Sequence, residues 1–198
     1  MDILLIVAIS LILVLFALIV YYVLVLRSDG RDRMFFNGSP AVVKDPGIWK
    51  GASNFSSYVN VADPKAMGIW IENSQFVDKS VVWFQKIITV NSDMEAKVYI
   101  LVDNIADFYV NGIKVAENIA WMGGNTKVAI FSIFLKKGDN YITIKVYSPD
   151  ITGIAIVRIT DLNGGLLTRS DNTWTYKIVT DDPDLKKFDD KFKELVGP

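Results

Sequence analysis

The stretch that decides the fold runs from Asp103 to Asn118 and reads DNIADFYVNGIKVAEN. Apolar residues alternate up to Val110, Asn111-Gly112 interrupts the pattern, and the alternation resumes at Ile113. A period of two is typical of a strand with one buried face, and Asn-Gly between two such runs is a strong signal for a hairpin. This stretch therefore predicts two antiparallel strands joined by a two-residue turn, with both turn residues at positive φ.

Similar runs, rich in Val, Ile, Phe, Tyr and Thr, fill the chain from Gly68 onward. Short strands separated by turn residues every 8–12 residues or so predict an all-β sandwich or barrel. Trp83 alternates with apolar neighbours and is expected in the core, and the run 127–135, apolar on both faces, is expected to be a central strand or to lie under a loop. The predicted strands are GIWIEN, SVVWFQKIITV, EAKVYILVDN, ADFYVNG, IKVAEN, KVAIFSIFL, NYITIKVYS, GIAIVRITD and TWTYKIV.

The first segment, ILLIVAISLILVLFALIVYYVLVL (residues 3–26), contains no charged residue, no proline and no glycine. As a helix it would span about 36 Å, which is enough to cross a hydrocarbon core of roughly 30 Å. A cleaved signal peptide is the alternative, but its apolar region is usually about 7–15 residues long and follows a basic start. Here Asp2 stands at the start and no small-residue cleavage pattern follows. The segment therefore predicts an uncleaved transmembrane helix.

A helix is also predicted at the C-terminal end of the sequence. Asp182 can cap it, and Pro183 suits the first helical position. Four apolar residues then follow at spacings of three and four, which makes a narrow stripe. The stripe can dock on the chain's own domain, the commoner arrangement, or on a protein partner. The stripe consists of Leu185, Phe188, Phe192 and Leu195.

These signals divide the chain into a transmembrane anchor (1–26), a juxtamembrane linker with an irregular wrapping segment (27–66), a β-sandwich (67–180) and a C-terminal helix (181–198). The predicted fold class is all-β. We expect a jelly-roll-like antiparallel β-sandwich with an N-terminal transmembrane helix and a short C-terminal helix.

Composition excludes several kinds of chemistry. Without cysteine or histidine, the chain has no disulfide, no thiolate nucleophile and no Ser-His triad. With 21 basic and 22 acidic residues and no basic stripe, nucleic acid is not an expected partner. A glycosidase needs two facing carboxylates, and no pair among the glutamates or the turn-bound aspartates fits that role. We therefore expect neither an enzyme nor a cofactor. The glutamates are Glu72, Glu95, Glu117 and Glu194.

An ordered set of short motifs across roughly residues 95–177 resembles the galactose-binding-like β-sandwich domains. These domains accompany many glycosidases and also occur as separate sugar-binding modules. The resemblance implies a sandwich whose sugar site lies in loops at one end. The matching motifs are Val110-Asn111-Gly112, Gly138-Asp139-Asn140, Ile142-Ile144-Val146, Gly153 and Trp174.

The loop AENIAWMGGNT, residues 116–126, is the best candidate for such a site. Trp121 could stack on a sugar face, while Asn118 and Asn125 bind its hydroxyl groups. The alternative is that Trp121 only fills the open end of the sandwich, since aromatic residues pack far more often than they bind.

Members of the resembled family often hold a structural calcium ion. Oxygen ligands for it could come from Asp103, Asn104 and Asp107, or from Asp161 and Asn163. Neither group has the spacing of an EF-hand loop, and such residues at strand ends more often cap turns. No metal site is therefore predicted.

The flank of the apolar segment predicts the side of the membrane. Arg27, Arg31 and Arg33 follow it, so the positive-inside rule places the domain on the cytoplasmic face. The glycosylation sequons at Asn37 and Asn54 favour the opposite side.

The preferred function is a non-enzymatic, single-pass membrane-anchored adaptor that holds lipid through residues 3–26 and binds protein partners through the sandwich. By fold-level analogy, it would be a minor capsid protein of a large DNA virus that links the inner membrane to capsid or coat proteins. The alternative is a membrane-tethered carbohydrate-binding module with the domain outside.

Overall fold

A computed structural model describes residues 39–40, 42–44, 63, 65–71, 77–78, 80–120, 128–149 and 153–196. The predicted membrane segment 3–26 and much of the predicted linker lie outside these residues. Within them, no helix has the length and hydropathy of a membrane span. The strands are β1 (Ser39–Pro40), β2 (Val42–Lys44), β3 (Gly68–Trp70), β4 (Val81–Val90), β5 (Met94–Asp103), β6 (Ile105–Val110), β7 (Ile113–Ala120), β8 (Ala129–Leu135), β9 (Gly138–Tyr147), β10 (Ile154–Asp161), β11 (Leu166–Arg169) and β12 (Thr175–Val179), and the C-terminal helix is Leu185–Val196.

The strands form two antiparallel sheets. The first has the order β1-β12-β4-β9-β6-β7, and the second has the order β2-β3-β10-β5-β8, with β11 paired to β10. Apolar residues from both sheets meet in one buried cluster, so the predicted antiparallel β-sandwich is confirmed. The inward-facing side chains include Phe84, Phe108 and Ile144 from the first sheet and Val98, Ile100 and Val157 from the second.

The hairpin turn is confirmed as predicted. Asn111 has a φ of 54° and Gly112 a φ of 81°, and they connect β6 to β7. The side chain of Asn111 also reaches the next strand. Its Oδ1 accepts a hydrogen bond from the backbone N–H of Tyr141 at 2.9 Å, and its Nδ2 donates to Asn140 Oδ1 at 3.0 Å. The turn therefore fixes the register of β6, β7 and β9 together.

The expectation for the run 127–135 is wrong. Its strand, β8, lies at the edge of the second sheet, where it pairs only with β5 among the described residues. Ile130 is 55% exposed and Phe134 is 53% exposed, while Ile133 and Leu135 face the core. Within the described part of the chain, apolar residues on both faces therefore mark an edge strand, because periodicity alone cannot distinguish an edge from a central position.

The expectation that Trp83 lies in the core is also wrong. It lies on the outer face of the first sheet and is half-buried, not in the core between the sheets. Its register partner on β9 is Lys145, which also points outward and is nevertheless only 4% exposed. Asp182, which lies just before the C-terminal helix, contacts both side chains and helps to cover them.

Candidate functional site

An open cleft of about 480 Å³ lies between the end of β7 and the C-terminal helix. We call it the β7–helix cleft. All its lining side chains are polar or charged, so it suits a ligand that makes hydrogen bonds. The lining residues are Asn118 from β7 and Lys186, Lys187, Asp190, Lys191 and Glu194 from the helix.

A β-bulge positions Asn118 in this cleft. Ala106 pairs with Ile119 and Phe108 pairs with Ala116, so Asp107 faces two residues of β7. Asn118 adopts a φ of 53°, and its N–H donates to Asp107 Oδ1 at 2.9 Å. Asparagine tolerates this left-handed conformation better than most residues. The bulge therefore points the Asn118 side chain away from the regular strand pattern and into the cleft.

The amide oxygen of Asn118 is buried and accepts no hydrogen bond. Leaving a buried acceptor unsatisfied costs about 1–3 kcal/mol. Because this oxygen is closed to solvent, it is not itself a contact point for a ligand in the open cleft.

Charged groups fix the position of Lys187 at the cleft. The buried carboxylate of Asp107 lies 2.6 Å from Lys114 Nζ and 3.6 Å from Lys187 Nζ. Glu117 lies 2.9 Å from Lys187 Nζ. The hydrogen bond between Lys187 and Glu117 raises the pKa of Lys187 and lowers the pKa of Glu117, so both stay charged at neutral pH. The ammonium group of Lys187 is thus held in place as a donor.

The structure describes one of the three residues predicted to bind a sugar. Asn118 lines the cleft as described above. Trp121 and Asn125 belong to residues 121–127, which lie outside the described part of the chain, although this segment begins directly after the last residue of β7. Their predicted roles stay predictions.

The apolar stripe of the helix packs on the first sheet of its own domain. Phe188 has no exposed surface and stacks on Tyr147, with ring centroids 6.2 Å apart and ring planes 3° apart. The other stripe residues are half-buried on the same patch. This is the intramolecular arrangement, and it leaves no surface of Phe188 for a partner while the helix is docked. The stripe residues beside Phe188 are Leu185, Phe192 and Leu195, and the patch is formed by Val81, Ile105 and Tyr147.

Two of the residues considered for calcium make other contacts. Asp107 is held by lysines, and Asp161 Oδ1 accepts the N–H of Gly165 at 2.7 Å, which closes a turn. Across the described ranges, no group of three or more acidic side chains could hold a metal ion.

No protein-family description matches this sequence, and a comparison with curated proteins found no similar chain. Several solved structures are similar. A family 78 rhamnosidase of Bacillus sp. GL1 is 18% identical with a TM-score of 0.44, and the match covers 58% of this chain and 13% of that one. An α-L-rhamnosidase of Streptomyces avermitilis, complexed with L-rhamnose, is 15% identical with a TM-score of 0.42 and coverages of 72% and 14%.

A family 35 carbohydrate-binding module of Clostridium thermocellum is 13% identical with a TM-score of 0.39, and the match covers 62% of this chain and 88% of the module. This chain therefore spans most of the module but only about an eighth of the Bacillus rhamnosidase.

Proposed function

We propose that this chain is a non-enzymatic carbohydrate-binding β-sandwich and that its binding site is the β7–helix cleft. The observation that carries the proposal is a cleft lined only by polar and charged residues, in which Asn118 of β7 lies beside lysine and carboxylate side chains of the helix. Sugars present neighbouring hydroxyl groups that both donate and accept hydrogen bonds. Such a set of side chains matches them, because together they offer donors and acceptors.

The other lining residues complement Asn118. Lys186 and Lys187 offer ammonium donors, and Asp190 and Glu194 offer carboxylate acceptors on the same helix face. The volume of the cleft, about 480 Å³, lies within the range of about 300–1,000 Å³ that is usual for small-molecule sites. A mono- or disaccharide unit is therefore the ligand that the cleft fits best.

Carbohydrate binding replaces the viral adaptor as the preferred function. Of the two functions predicted from sequence, it is the one with a described site to support it. The adaptor role rests on residues 3–26 and on protein partners, and neither falls within the described residues. Anchoring to a membrane remains compatible with carbohydrate binding and has its own test below.

A glycan array with the full-length chain in mild detergent tests the proposal, followed by titration calorimetry of the glycans that bind. Asn118→Gly should weaken binding at least about tenfold, which corresponds to about 1.4 kcal/mol. Glycine accommodates the φ of 53° and removes the side chain that lines the cleft. The matched control is Asn163→Gly, an exposed amide outside the cleft, which should bind as the wild type does.

Two outcomes would contradict the proposal. One is a chain that binds no glycan on the array, and the other is an Asn118→Gly variant with unchanged affinity. A separate incubation tests the non-enzymatic part. The bound glycan should remain intact, and cleavage that is lost on substitution of Asp190 or Glu194 would instead identify a hydrolase.

A further inference from the structure

A buried carboxylate, that of Asp107, connects the two walls of the β7–helix cleft. Its Oδ1 accepts the N–H of Asn118 on β7, and its Oδ2 lies 3.6 Å from Nζ of Lys187 on the helix. The side chain has no exposed surface, and Lys114 Nζ lies 2.6 Å from Oδ2. Among the described residues, Oδ2 accepts no well-directed hydrogen bond. The two ammonium groups therefore balance its charge.

This burial commits the two lysines to Asp107. A carboxylate without exposed surface is strongly destabilising unless cations lie beside it, so Lys114 and Lys187 cannot leave it at little cost. Glu117 competes for the same two lysines, at 2.9 Å from Lys187 and 3.9 Å from Lys114. Two lysines thus face two carboxylates, and the part of the cleft beside Asn118 carries no net charge.

The remaining charges of the cleft are balanced as well. Lys191 Nζ lies 2.8 Å from Glu194 Oε1. Lys186 and Asp190, both exposed, lie one turn apart on the helix and add one charge of each sign. The described lining residues and their ion-pair partners therefore contain as many ammonium groups as carboxylates. The ammonium groups are those of Lys114, Lys186, Lys187 and Lys191, and the carboxylates are those of Asp107, Glu117, Asp190 and Glu194.

We propose that the β7–helix cleft selects neutral saccharides over acidic ones, and that Asp107 sets this preference. The inference rests on the proposed carbohydrate-binding function and adds the class of sugar. A neutral sugar uses the donors and acceptors of the cleft and leaves their charge balance unchanged. A uronic acid or a sulfated sugar has to compete with Asp107 and Glu117 for the lysines, so the desolvation of its anionic group is not compensated.

Asp107→Asn in the full-length chain tests the inference. The variant removes one negative charge but keeps an oxygen that can accept the N–H of Asn118, so the bulge is retained. Lys114 and Lys187 then give the cleft a net positive charge. The probes are neutral glycans and their uronic acid and sulfated counterparts, first on the array and then in titration calorimetry. The wild type should bind the neutral member of each pair more tightly, and the variant should shift the affinity ratio towards the acidic member by at least about threefold.

Ionic strength supplies a readout that a merely structural role of Asp107 would not change. Binding of a neutral glycan to the wild type should not depend on salt, whereas binding of its acidic counterpart to Asp107→Asn should weaken as salt rises. The matched control is Asp139→Asn, an exposed aspartate outside the cleft whose Oδ1 accepts the hydroxyl of Thr89. It makes the same change in net charge and should leave the affinity ratio unchanged.

The outcomes distinguish this inference from the proposed function. A wild type that prefers the acidic glycan, or an affinity ratio that is the same in Asp107→Asn, would overturn the inference and leave carbohydrate binding intact. Absence of binding to every glycan would overturn both. If circular dichroism shows that Asp107→Asn is unfolded, Glu117→Gln replaces it. The side chain of Glu117 is 57% exposed, and loss of its charge beside Lys187 should shift the ratio in the same direction.

Discussion

A Cβ atom at position 153 would overlap the indole ring of Trp70, which has no exposed surface. Gly153 therefore allows the backbone that leads into β10 to lie directly against this ring. The sequence marked Gly153 only as part of a family-like motif. The reason why glycine is needed here could not be predicted from the sequence, because Trp70 lies on β3, which is far from Gly153 along the chain.

Gly153→Ala should lower the free energy of unfolding by about 1–3 kcal/mol, because the added methyl group forces the packed ring to move. Denaturant unfolding measures this. In a Trp70→Phe background, the same substitution should cost less, since the smaller ring leaves room. The same cost in both backgrounds would show that the contact with Trp70 is not the cause.

At the residue scale, local requirements were predictable and long-range ones were not. The positive φ values at Asn111 and Gly112 follow from a turn that needs them, wherever the hairpin lies in the fold. Lys145, by contrast, reads as a solvent-facing residue between Ile144 and Val146. Its burial depends on a helix that the sequence could not place over it. The position of Trp83 on the outer face was not predicted for the same reason, since the start of the helical segment covers that face.

At the scale of elements, the C-terminal helix is the clearest case. Its existence, its cap and its stripe were predicted, and Asp182 Oδ1 accepts the N–H of Asp184 at 2.8 Å. The helix begins at Leu185, slightly later than the capping pattern indicated. The sequence does not show which surface the helix packs against. It therefore does not predict the β7–helix cleft either, since most lining residues of that cleft come from this helix.

Phe188→Ala should cost about 3–5 kcal/mol of unfolding free energy, the usual range for a fully buried phenylalanine. Phe134→Ala is the matched control, because Phe134 is 53% exposed on β8 and should cost far less. Denaturant unfolding of both variants checks this. If the two substitutions have equal effects, the helix does not contribute its packing to global stability.

The anchoring of the helix should depend on pH through Asp184. Burial opposes its ionisation, but the hydrogen bond and charge of Lys145, with the charges of Lys114 and Lys187, outweigh burial and hold the pKa of Asp184 below 3.8. Its stabilising effect is therefore fully present above the unfolded-chain pKa of about 3.9 and is lost as pH falls through the lower folded value.

Thermal unfolding of the wild type and Asp184→Asn across pH tests this. The gap between their melting temperatures should be constant above about pH 5 and should shrink below about pH 4. A gap that is independent of pH, or that widens in acid, would show that Asp184 is not ionised in the folded chain.

At the scale of the whole molecule, the described strands lie between Ser39 and Val179 and the described helix runs from Leu185 to Val196, while the division of the chain into domains stays a prediction. The anchor and the linker stay predictions, because residues 3–26 lie outside the described residues. Their prediction rests on length and hydropathy, which need no tertiary information. The predicted cytoplasmic position of the domain rests on three arginines, whereas two glycosylation sequons favour the opposite side.

Intact mass and protease protection test the anchor together. We expect the purified chain to retain residues 3–26, since the apolar segment exceeds the usual signal-peptide length of about 7–15 residues. In sealed membranes, the arginine flank predicts a domain on the cytoplasmic side. A mass that lacks about 25 residues would identify a cleaved signal instead. Protease digestion from the outside would place the domain where extracellular glycans are found.

Backbone amide NMR can show whether the β7–helix cleft binds a sugar. The isotope-labelled full-length chain is titrated with the tightest glycan from the array. We expect the largest chemical-shift changes at Asn118 and Lys187, and we expect these changes to be lost in Asn118→Gly. Shift changes confined to the second sheet, around Tyr99 and Ile130, would contradict it.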